Sequence, residues 1–131
     1  MGIRGWGESR EQAFEETALA MFGLIIDGSG LKPDKKISFE VGGQSPSELL
    51  VEFLNRMLSD ADIEEIAILY VYVESIEDAG GALRLKGGAE GISREAVRER
   101  LSGEVKAATY YGASVEVDGD GRWEARCVVD L

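Results

Sequence analysis

Glu104-Val-Lys-Ala-Ala-Thr-Tyr-Tyr-Gly-Ala-Ser-Val-Glu-Val-Asp-Gly-Asp-Gly-Arg-Trp-Glu-Ala-Arg-Cys-Val-Val-Asp-Leu131 reads as a β-hairpin that runs to the last residue of the chain. A long strand over residues 104–117 is broken at Gly112, where a bend or bulge is expected, and Asp118-Gly-Asp-Gly121 makes the turn. This acidic turn resembles half a calcium loop, but the remaining EF-hand ligand spacing and the flanking helices are missing, so it is read as a turn. Chain ends normally fray, so a final strand written to its last letter is held there for a reason. It brings the Asp130 side chain and the α-carboxylate of Leu131 together, two anionic oxygen donors that are either a cation site or an unrelieved repulsion.

Working outward, residues 66–73, Ile-Ala-Ile-Leu-Tyr-Val-Tyr-Val, read as another strand. The cluster at 77–81 is the turn into a short strand at 82–86, and residues 93–101 read as a short helix. Before them, Ser45-Pro-Ser-Glu48 places Ser at the N-cap, Pro at the first helical position and Glu three residues on. Leu49, Leu50, Phe53, Leu54, Met57 and Leu58 form the apolar stripe behind that cap, in a helix expected to end near Asp62. Residues 35–43 alternate, with Ile37, Phe39 and Val41 on one side, as a half-buried strand does. A first helix of about 16 residues starts at a Ser9/Gln12 capping box, carries Phe14, Ala18, Met21, Phe22 and Ile25 on one face, and stops near Asp27-Gly-Ser-Gly30. The whole predicts an α+β fold: two amphipathic helices packed on antiparallel β-sheets that close into a sandwich or barrel.

With 131 residues and no repeat, linker or low-complexity segment, the chain is expected to form a single domain spanning 1–131. No apolar run reaches the roughly 18 residues of a membrane span. The single cysteine, Cys127, permits no intrachain disulfide, and a cytoplasmic location is expected. Histidine is absent, which excludes Ser-His-Asp triads, Cys-His dyads and His-ligated zinc; a bound metal would be a hard, oxygen-preferring ion. The net charge of −11 repels phosphate backbones at long range, and no run of basic residues offsets it, so strong independent nucleic-acid binding is not expected. Gly87-Gly88 and the 27–30 segment fit neither a Walker loop nor a dinucleotide fingerprint, which weighs against a phosphotransfer enzyme.

Three stretches carry a family resemblance. Gly5-Trp-Gly-Glu-Ser-Arg-Glu-Gln-Ala-Phe14, continuing through Ala18-Leu-Ala-Met-Phe-Gly23, resembles the first strand and helix of the archeases. Leu49-Leu-Val-Glu-Phe-Leu-Asn55 is similar to the family's second helix, and Glu104-Val-Lys-Ala-Ala-Thr-Tyr-Tyr111 with Ala125-Arg-Cys-Val-Val-Asp-Leu131 to its closing signature. The resemblance implies a small protein, not itself a catalyst, that activates the GTP-dependent RNA ligase of tRNA splicing and RNA repair by promoting its guanylylation. A chaperone or modulator role toward a tRNA methyltransferase is the alternative it implies.

Carried onto this chain, the resemblance makes Lys106 and Asp130 critical for activation, and Asp130 with Leu131 the metal pair. The implied cofactor is a divalent cation, calcium first and magnesium or manganese next. In one place the chain departs from the pattern. The family carries a His-Thr-Ala-Asp motif immediately before the position of Met1, whose Asp is a further metal ligand. Either translation begins upstream of Met1, or the site lacks one carboxylate and binds metal weakly.

Overall fold

Two serines start the two helices in the same way. Ser9 accepts a hydrogen bond from the Gln12 N–H at 3.1 Å, and Ser45 from the Glu48 N–H at 3.1 Å, each satisfying a donor that a helix start leaves free. The computed structural model describes Met1–Leu131 and gives α1 as Arg10–Phe22 and α2 as Pro46–Glu64. α1 is shorter than its apolar spacing predicts. Beyond Gly23 the N–H groups of Leu24 and Ile25 fall back on carbonyls three residues earlier, and Ile26 turns away to bridge Leu101. The stripe therefore stays in the core after the helix has ended. α2 instead runs past Asp62 and is stopped by Glu65 in the left-handed region, φ 54° and ψ 45°.

Six strands, β1 (Gly2–Gly7), β2 (Lys35–Gly43), β3 (Ile66–Ala79), β4 (Ala82–Ser93), β5 (Ala107–Val117) and β6 (Trp123–Asp130), form two antiparallel three-stranded sheets. Their orders are β1-β6-β5 and β2-β4-β3, which is the expected α+β arrangement. β3 and β4 are both longer than the sequence reading gives them, and they meet in a tight turn at Gly80-Gly81. Gly87-Gly88 looks like a break but lies inside β4. A Cβ on Gly88 would stand 2.7 Å from both the Ile37 carbonyl and the Tyr72 hydroxyl, so only glycine lets the strands and the Tyr72 ring close over this point. In β5 the expected break is present: Gly112 has φ 80°, and the register with β6 shifts between Thr109 and Ser114. The short helix expected at 93–101 is a 3₁₀ turn, Glu95–Arg100.

Each helix closes one seam between the sheets. α1 packs on β1 and β3, and α2 on β5 and β2, so every sheet edge is met by a helix. Helix side chains also reach the edge backbones. Glu15 accepts the Val73 N–H at 2.7 Å, Arg56 donates to the Glu40 carbonyl at 3.4 Å, and Asn55 bonds both the N–H (2.8 Å) and the carbonyl (3.1 Å) of Ala108. Groups that would otherwise invite another strand are thereby occupied. Inside, a cluster of 27 buried residues is organised around Phe53, whose ring lies 5.7 Å from Phe14 and 5.8 Å from Phe39. The one buried polar residue, Thr17, donates to the Ala13 carbonyl at 2.8 Å. No helix is long and apolar enough to cross a membrane.

Candidate functional site

β6 is the middle strand of its sheet, so its last residues are flanked on both sides. Ala125, Cys127 and Val129 point into the core, and the alternation turns Glu124, Arg126, Val128 and Asp130 outward. On one flank the Lys106 N–H donates to the Asp130 carbonyl at 2.8 Å, continuing the register that pairs Ala107 with Asp130. On the other, the Val129 N–H donates to the Met1 carbonyl at 2.8 Å, and the Met1 ammonium donates to the Val129 carbonyl at 3.3 Å. Both chain termini and Lys106 thus meet at one corner.

The pairing of β1 with β6 runs from Gly7 opposite Trp123 to Gly2 opposite Val128. One further step sets Met1 beside Val129, and a residue joined before Met1 falls opposite Asp130. Directly opposite residues of an antiparallel pair put their Cβ atoms on the same face, about 5 Å apart. A carboxylate carried at that position would share its outward face with Asp130.

Lys106 is exposed, and its ammonium makes no ion pair with any carboxylate. Its backbone is firmly placed. Val105 is buried before it, and two residues on Asn55 clamps Ala108 to α2. The sequence reading singles out Lys106, Asp130 and Leu131 but passes over Asn55. The available signal was a half-buried amide set within the apolar stripe of α2, between Leu54 and Met57. Lys106 also borders a cavity of about 350 Å³ between the ends of α1, α2 and the start of β3, with a mainly apolar lining.

Next along β5, Tyr110 donates to the Glu52 carboxylate of α2. That bond, with lesser help from burial, pushes the Tyr110 phenol up to about 12. Cys127 lies in the core with its thiol 3.5 Å from the Thr109 carbonyl, and burial pushes its pKa up, away from the thiolate a nucleophile needs. The acidic turn is engaged in its own structure: Asp118 Oδ1 accepts from the N–H groups of Asp120 and Arg122, both at 2.9 Å.

For a cation, Asp130 and the Leu131 carboxylate are the right kind of donor, hard anionic oxygens. They are few. Calcium takes six to eight oxygens, and no group of three or more acidic, His or Cys side chains gathers in this chain. A metal here would draw the rest of its shell from water, from a partner, or from a residue preceding Met1.

The sequence profile of the Archease protein family (MTH1598/TM1083) matches residues 1–131. The archease of Pyrococcus furiosus is 36% identical over 131 residues, covering 100% of this chain and 92% of that protein. That of Methanosarcina barkeri is 30% identical over 129 residues, covering 98% and 88%. Among solved structures, protein 1598 of Methanobacterium thermoautotrophicum superposes with a TM-score of 0.81 at 29% identity, covering 99% of this chain and 91% of that one. An archease of Thermotoga maritima, described as a possible chaperone, shares the fold with a TM-score of 0.63 at 17% identity, covering 100% and 90%. Over its whole length, this chain belongs to the archease family.

Proposed function

We propose that this archease is a non-catalytic protein cofactor that activates the GTP-dependent ligase of tRNA splicing and RNA repair. It promotes transfer of guanylate to the ligase through the corner formed by Lys106, Asp130 and Leu131, with a divalent cation, calcium first and magnesium or manganese next, held by the two carboxylates. What supports this reading is the backbone bond from Lys106 to Asp130 beside the paired chain start, which sets residue 106 next to the strand end that carries the two carboxylates. An ammonium there offsets carboxylate repulsion when the metal is absent and offers a flexible point charge to a phosphate. No nucleophile with an adjacent base accompanies them, which favours activation of another enzyme over catalysis by this chain. A cytoplasmic location follows from such a partner.

The test is ligase guanylylation with labelled GTP, with and without this protein. Stimulation at substoichiometric amounts, with no nucleotide turnover when the ligase is omitted, is the expected result. Turnover without ligase would make the protein an enzyme in its own right. The description of the Thermotoga relative as a possible chaperone favours one second reading, a modulator of a tRNA methyltransferase. Light scattering of the methyltransferase on heating, with and without this protein, tests it: suppressed aggregation supports that reading and an unchanged trace opposes it.

A further inference from the structure

Most arginines of this chain answer a carboxylate or a carbonyl, but Arg10 and Arg122 have side chains with neither an ion pair nor a hydrogen bond. Each lies over a tryptophan instead. The Arg122 guanidinium is 5.4 Å from the centre of the Trp6 ring, and that of Arg10 is 5.8 Å from the centre of Trp123. Both guanidiniums therefore keep their five N–H donors free of protein acceptors, in a geometry that can take an anion.

Along the outward face of β1 and β6, Arg4 stands directly opposite Arg126. Like charges in that relation repel and destabilise the pair. Glu124 serves both, 3.8 Å from Arg4 and 3.3 Å from Arg126, so a single carboxylate answers two guanidiniums. Beside them Trp6 is 42% exposed, and three separate surface depressions converge on Trp6 and Arg122. Basic residues scattered in the sequence are thus gathered by the sheet register. Glu116 on the same face, with Glu8, Glu16 and Asp120 in the depressions, bounds the patch and limits it to a short ligand.

We propose that this face of β1 and β6 binds a short single-stranded RNA segment. One base continues the stack formed by Trp6 and Arg122, and the adjacent phosphates take the free donors of Arg122 and those of Arg4 and Arg126. Exposed aromatic and guanidinium planes bind single-stranded bases by stacking, and guanidinium forks match phosphate oxygens. An acidic peptide would use the arginines and leave the stacking platform idle, which is why RNA is favoured. The contact is local, since the remainder of the molecule repels phosphate, and it is read without any ligase, so it stands or falls apart from the activation proposal.

The test is a titration of the full chain with oligouridine RNA of about six nucleotides at low salt, following the two tryptophan indole N–H signals by NMR. Hexaglutamate serves as the competing probe. The Trp6 indole signal is expected to shift to saturation with RNA and not with hexaglutamate. Trp6→Ala and Arg122→Gln are each expected to weaken binding about five-fold or more, while Trp6→Phe retains most of it. An undisturbed Trp123 signal reports that the variants remain folded. Absence of a Trp6 shift at millimolar RNA, wild-type affinity in the folded Arg122→Gln variant, or tighter binding of hexaglutamate than of RNA would each overturn the proposal.

Discussion

Asp130 is the outward residue that ends a strand whose inward neighbours are core, so its carboxylate contributes charge to a surface and no packing to the interior. Asp130→Asn is therefore expected to abolish ligase activation while shifting unfolding free energy in urea by less than about 0.5 kcal/mol. A variant that loses half the stability of the protein would show that Asp130 is structural. Tyr110 makes a different prediction. Its neutral phenol donates to Glu52, so folding holds the proton, and the phenol is pushed from 10.0 up to about 12. The stability that this bond contributes is whole below pH 10 and is lost as pH rises from 10 toward 12. Ultraviolet titration should find one tyrosine that ionises late, and Glu52→Gln should return it to the ordinary range; an unchanged titration curve would contradict the bond.

At the scale of elements, α2 fixes the start of β5, and with it Lys106, through the two hydrogen bonds between Asn55 and Ala108. Asn55→Ala strips the partners of an edge backbone next to the core and is expected to cost about 2–3 kcal/mol in urea unfolding and to reduce activation with it. A cost under about 0.5 kcal/mol would mean β5 is held by its pairing with β6 alone. The helix starts were legible because Ser9 and Ser45 carry caps written in three or four residues. The antiparallel α+β class was legible because alternating apolar residues, as at 35–43, leave one face to bury, but that pattern leaves open closure into two sheets rather than a barrel. The length of β4 was not legible. Its glycines carry no apolar signal, and what keeps them in the strand is the close approach of Ile37 and Tyr72 from distant positions. The end of α1 escaped for a related reason: Ile25 and Ile26 continue the stripe, but a long-range bridge to Leu101 decides their backbone. The terminal carboxylates were singled out from the strand that runs to the last residue, and Lys106 through family resemblance, whereas the arginines about Trp6 come together only through the β1–β6 register.

For the whole molecule, the two sheets and two seam-closing helices bring the first and last residues of the chain to the same corner. Extending the chain before Met1 by His-Thr-Ala-Asp continues β1 by the register in hand and sets the added Asp opposite Asp130. Calorimetric titration with calcium should then show affinity raised about ten-fold or more over the chain starting at Met1, as expected when a third carboxylate joins a site of two. Equal affinities would separate the chain start from metal binding. The corner itself is tested most directly by ligase guanylylation with three proteins: the untagged chain, Lys106→Ala, and a chain whose C-terminal tag converts the Leu131 carboxylate into an amide. Lys106→Ala should keep the fold at a cost under about 1 kcal/mol, since the side chain is exposed and unpaired. The untagged chain should stimulate at substoichiometric amounts and the other two should not; equal stimulation by all three would contradict the assignment of activation to this corner.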